Sequence, residues 1–101
     1  MVVTPRTQEE IQAMRTGGKI LAEALEMMRE ATVPGITTAE IDARVREFFK
    51  QKGVEPAFLG YYGFTGAVCI SVNEEIIHGV PKQDKVIQEG DIVSLDCGVL
   101  H

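Results

Sequence analysis

No apolar run in this sequence approaches the roughly 20 residues that a membrane-crossing helix needs. The N-terminus, MVVTPRTQEE, lacks the apolar stretch of a secretory signal, so no export leader is expected. Basic residues are outnumbered: 10 Lys and Arg face 15 Asp and Glu, a net charge of −5, and no basic cluster overrides that average. The balance argues against a nucleic-acid footprint. Cysteine is scarce as well. Cys69 and Cys97 show no metal-type spacing, and each sits in an apolar run where a free thiol acts as a small hydrophobe. That usage suits a reducing, cytoplasmic setting. Internal repeats, low-complexity tracts and linkers are also missing, so the 101 residues read as one domain or part of one. A chain of this length buries roughly 65% of the surface that its unfolded form exposes, enough for a modest core.

What is present divides into helical and extended stretches. Thr7 followed by Glu10 forms a capping-box pattern, which predicts a helix start. Ile11, Met14, Gly18, Leu21, Leu25 and Met28 then recur at steps of three and four, one helical stripe. Gly17-Gly18 costs about 1 kcal/mol per glycine in helix propensity, tolerable where another element packs closely. Val33-Pro34-Gly35 ends the helix. Thr37 and Glu40 make a second capping-box pattern, and Ile41, Val45, Phe48 and Phe49 define an amphipathic helix closed by Gly53. The next stretch, EPAFLGYYGFTG, is a glycine-interrupted loop with four aromatic rings. Such rings serve equally as core filler or as the wall of a small-ligand pocket.

Three β-rich runs follow. Ala67–Val72 and Ile76–Val80 flank the turn residues Asn73-Glu74-Glu75, which predicts an antiparallel hairpin stopped by Pro81. A polar connection, Lys82–Asp91, leads to a third strand over Ile92–Leu100. The class is therefore α+β, two helices packed on an antiparallel sheet. Alternation sends Val93, Leu95, Cys97 and Val99 to one face, and Ile92, Ser94, Asp96 and Gly98 to the other. Asp96 stands out in an apolar run, because burying a carboxylate costs several kcal/mol unless a donor, cation or metal compensates. It is either functional or structurally paired. His78, in the second run before a glycine, is either a hydrogen-bonded sheet residue or a catalytic one. Glu74 and Glu75 in the turn, and Asp91 after a turn glycine, are expected to be solvated. One Asp and one His fall short of the four to six ligands that divalent ions favour, even if His101 adds a third.

The segments LGYYGF, AVCISVNEEIIHGVP and EGDIVSLDCGV resemble the type I methionine aminopeptidases, as do TQEEIQAMRTGGKILAEALE and PGITTAEIDARV nearer the start. The resemblance spans essentially all 101 residues. It implies a pita-bread fold, in which two α+β halves related by a pseudo-twofold axis enclose a two-metal site. On that reading residues 1–101 are a single partial domain, the N-terminal half. The resemblance makes Asp96 a metal ligand and His78 a catalytic residue beside the scissile peptide, assisting proton transfer or hydrogen bonding to substrate. It puts Tyr61, Phe64 and Cys69 in the pocket for the methionine side chain. Phe58 falls at a further pocket position that often holds cysteine in bacterial members, and Phe64 replaces a more usual tyrosine, so the pocket is expected to be reshaped. Backbone near Asn73 and Glu75 resembles a monovalent-cation site of some members.

The implied cofactors are two divalent ions per complete site (Co, Mn, Fe, Zn or Ni), and the implied substrate is the N-terminal methionine of peptides or nascent chains. Of five protein ligands in the family, the resemblance finds one here and sets the other four beyond His101. The expectation is an inactive isolated chain, whose partners are a C-terminal half or a second copy of itself. The competing reading is a non-enzymatic half-fold kept for binding or assembly. Neither nucleic acid nor membrane is expected as a partner.

Overall fold

The computed structural model describes residues 4–60, 66–75 and 79–100. Two helices come first, α1 (Gln8–Ala31) and α2 (Thr38–Lys52), followed by β1 (Glu55–Pro56), β2 (Val68–Val72), β3 (Val93–Cys97) and β4 (Val99–Leu100).

Local chemistry sets both helix starts. Thr7 Oγ1 accepts from Glu10 N at 3.1 Å and Glu10 Oε1 accepts from Thr7 N at 2.9 Å, so the first capping box is complete. The second is half formed. Thr37 Oγ1 accepts from Glu40 N, but the Glu40 carboxylate pairs with Arg44 one turn on, at 3.2 Å. Gly53 closes α2 in the left-handed conformation, φ 71°, as its position predicts.

The buried face of α1 differs from the predicted stripe. Gly17, Ala24, Met28 and Ala31 point inward, while Met14 and Leu25 are 64% and 42% exposed. Small residues at the contact let α1 lie close to its neighbours, a gain that hydrophobicity ranking misses because it scores Leu and Met above Gly and Ala. The glycine pair divides accordingly. Gly17 is buried, whereas a Cβ on Gly18 would meet nothing within 4 Å.

On α2 the predicted Ile41, Val45 and Phe49 are fully buried, and Phe48 lies partly buried at the edge of the core. They join Ala24 and Met28 of α1 and Val68, Ile70 and Val72 of β2 in one cluster, with Val93, Leu95, Cys97 and Val99 packed against it. The predicted alternation of the third run is the observed one.

Most of the second run of the expected hairpin lies outside the described residues, and the ladder that is described joins the first run to the third. β2 pairs antiparallel with β3, matching Val68 to Cys97 and Val72 to Val93, while β1 pairs with β4. Of the second predicted run, Ile76, Ile77 and His78 lie outside the described residues, and Gly79 and Val80 are not in a strand. Gly79 still lies along β2, because Ile70 N donates to its carbonyl at 2.9 Å. Its own N–H goes to the Ser71 hydroxyl at 3.0 Å, so a side chain takes the place of the next ladder bond. The polar connection is more than a spacer. Ile87, 4% exposed, enters the core and exchanges backbone bonds with Gly35 and Ile36, both at 2.7 Å.

Candidate functional site

The site builds outward from β2, all five of whose residues are buried. Val68, Ile70 and Val72 face the helices, which leaves Cys69 and Ser71 on the other face, at 5% and 3% exposure. Across the ladder Cys69 stands opposite Asp96 and Ser71 opposite Ser94. Asp96 and Ser94 are exposed. Among the described residues solvent reaches Asp96, on the polar face of an otherwise apolar run. Burial raises the pKa of Cys69, and the charge of Asp96 adds to it. The same two causes, burial first, push Cys97 up to about 11. Both thiols stay protonated at neutral pH and pack as hydrophobes, which is how the sequence reads them.

Among the described residues three hydrogen bonds hold the outer edge of β2. Val68 N donates to Asp42 Oδ1 at 3.0 Å, Ile70 N to the Gly79 carbonyl at 2.9 Å, and Val72 N to Glu75 Oε1 at 3.0 Å. Gly79 comes so close that a Cβ there would lie 2.1 Å from the Ile70 carbonyl oxygen. Only glycine fits. His78 is itself outside the described residues, but the backbone directly after it is clamped to β2.

At the far end of β2 the turn is tied across to the third strand. Asn73 adopts φ 55°, its N–H donates to the Ile92 carbonyl at 2.8 Å, and its Oδ1 accepts from Ile92 N at 2.9 Å. Its amide nitrogen donates to Asp91 Oδ1 at 3.0 Å, and Gln88 N donates to Asp91 Oδ2 at 2.8 Å. Those bonds, that from Asn73 first, lower the Asp91 pKa. Asp91 and Glu75, expected to be merely solvated, are thus turn-forming acceptors. Both carboxylates find backbone N–H groups within three residues, a local bond that a solvated turn leaves open.

Of the predicted pocket residues, Cys69 lies beside Asp96 across the ladder, and the Phe58 ring lies 3.6 Å from where a Cβ on Gly98 would sit. Tyr61, Phe64 and His101 lie outside the described residues. Among the described residues no group of three or more His, Cys, Asp or Glu side chains could hold a metal ion. Asp96 offers one carboxylate, and further donors have to come from elsewhere. Reading the sequence missed Asp42, Ser71 and the close approach of Gly79. Asp42 did leave a signal: it is a charged residue within the apolar stripe of α2, between Ile41 and Val45.

A family model, Metallopeptidase family M24, matches residues 12–101. The chain belongs to that family, whose name denotes metal-dependent peptide hydrolysis. The relatives it matches are methionine aminopeptidases. One from Clostridium acetobutylicum is 45% identical over 95 residues, which is 94% of this chain and 38% of the relative. One from Clostridium perfringens is 48% identical over 94 residues, 93% of this chain and 37% of the relative. The crystal structure of methionine aminopeptidase from Thermotoga maritima matches with a TM-score of 0.95 at 45% identity, covering 99% of this chain and 40% of that one. The α+β arrangement expected from the resemblance, part of a pita-bread fold, is the one observed. The chain spans about two fifths of the length of the relatives it matches.

Proposed function

We propose that this chain forms the part of a methionine aminopeptidase catalytic unit that bears one metal-binding carboxylate and one wall of the methionine pocket. The observation that supports this best is the placement of Asp96. It stands exposed, in register opposite buried Cys69, in a backbone that follows a methionine aminopeptidase structure at a TM-score of 0.95.

In this reading Asp96 holds a divalent ion (Co, Mn, Fe, Zn or Ni) together with donors from another polypeptide segment. Phe58, Tyr61, Phe64 and Cys69 line the methionine side-chain pocket, and Cys69 does so as a neutral thiol. His78 hydrogen-bonds the substrate or moves a proton at the scissile nitrogen. The backbone around Asn73 and Glu75 contacts a monovalent cation. When bound, a pair of divalent ions supplies an activated water and polarises the scissile carbonyl. With one family ligand of five, residues 1–101 alone are inactive, and the work takes place in the cytoplasm on peptides or nascent chains.

Complementation tests the reading. The chain is mixed with the remaining portion of the Thermotoga maritima enzyme and Mn²⁺ or Co²⁺, and cleavage of a Met-Ala peptide is measured. Turnover above either part alone supports it, and none above either part sinks it. The assembly-module reading is favoured by large apolar side chains left in solvent, Met14 at 64% and Ile92 at 72% exposure. It predicts a homodimer or larger species at micromolar concentration by light scattering and no turnover in the mixture; a clean monomer removes it.

A further inference from the structure

Among the described residues Asp42 is the one charged side chain that is buried, at 5% exposure, and no role given above uses its carboxylate beyond a single strand-edge bond. It sits on the α2 face that also carries Ile41, Val45 and Phe49, where an uncompensated carboxylate is strongly disfavoured. Its hydrogen bonds point to one job. Oδ1 accepts from two consecutive backbone amides, Ala67 N at 2.7 Å and Val68 N at 3.0 Å. Oδ2 accepts from Arg46 Nε, one turn along α2, at 2.8 Å, which fixes the carboxylate's orientation. Ala67 and Val68 are fully buried, so without Asp42 their amides lose this acceptor where water does not replace it.

The three contacts on the outer edge of β2 differ in what they tie together. Glu75 and Gly79 follow β2 closely in the chain. Asp42 comes from a separate element, 25 residues before Ala67. Its hydrogen bond is the one among the three that ties β2 to the helical layer.

We propose that Asp42 is a positioning residue for the candidate site. By holding the two amides that open β2, it places Cys69, the next residue, opposite Asp96. The functional meaning rests on the pocket role proposed above for Cys69; the geometry stands without it.

The test uses the whole chain with Cys97→Ser, so that Cys69 is the sole thiol. Amide hydrogen exchange and iodoacetamide alkylation are compared for the parent, Asp42→Asn and Asp42→Ala. Loss of a charged acceptor speeds exchange at Ala67 and Val68 and alkylation of Cys69 by on the order of tenfold or more in Asp42→Ala. Asp42→Asn keeps an acceptor oxygen and gives a smaller rise at the same places. Amides of Ala24 and Met28 stay near parental rates in both. Uniform acceleration of all these amides, or unchanged rates at Ala67, Val68 and Cys69, overturns the proposal. If Asp42→Ala fails to fold, Asp42→Asn decides it: a rise confined to residues 67–69 supports it, and a shared rise or none overturns it. Complementation turnover reads the pocket role separately, so failure of one is distinct from failure of the other.

Discussion

The two faces of the β2–β3 pair come from the same alternation, yet they are held by different forces. On the helical face Val68, Ile70, Val72 and their β3 neighbours meet Met28, Ile41, Val45 and Phe49, and apolar burial does the holding. On the other face Cys69 and Ser71 are buried while Asp96 and Ser94, directly opposite, are exposed. Polar contacts hold the outer edge of β2 between the two faces: Asp42 on the first amides, Gly79 on Ile70, and the Ser71 hydroxyl on Gly79. Burial tolerates small shifts because it has no direction, whereas hydrogen bonds do not.

Removing the largest core ring breaks the helical face. Phe49→Ala costs about 3–5 kcal/mol, read as a lowered urea midpoint with unchanged slope. Crowding the other face costs less overall but is aimed at the site. Gly79→Ala drives a Cβ into the Ile70 carbonyl, with an expected loss of about 1–3 kcal/mol in the same titration and of complementation turnover. Gly18→Ala shows that the helical face lies elsewhere on α1. A Cβ at that position meets nothing, so the change stabilises by up to about 1 kcal/mol in thermal melts. A loss there means that α1 packs through Gly18 after all. The smallest stability effect separates function from fold. Asp96→Ala, exposed, shifts stability by no more than about 0.5 kcal/mol, while Mn²⁺ heats measured by calorimetry fall below those of the parent. Equal, weak heats for both chains remove the metal role.

Much of this architecture is legible because it is local. The Thr7–Glu10 box and the Gly53 cap depend on residues three or four positions apart, and both form. The Val93–Val99 alternation depends only on the pleat, and it places Asp96 opposite Cys69 as soon as the partner strand is known. That partner is the weak point. A turn after Val72 suggests pairing with the next run, and nothing local reveals that β2 also takes β3 from beyond the Lys82–Asp91 connection, where Leu95 and Val93 extend the apolar face shared with Ile70 and Val72. The face of α1 is legible only in part, Leu21 and Met28 packing inward as expected while Met14 and Leu25 do not, for a related reason. Close packing rewards Gly17 and Ala24, and a hydrophobicity scale cannot see which side the neighbour occupies.

Residue type and spacing alone settled the helices, the runs that hold β2 and β3, the class of fold and the face on which Asp96 stands, since each follows from backbone periodicity and short-range capping. The tertiary structure decided which strands meet, that Asp96 is solvated, and that Asp42 and Gly79 hold β2 from its outer edge. Those depend on contacts between segments distant along the chain, where burial and geometry outweigh local preference.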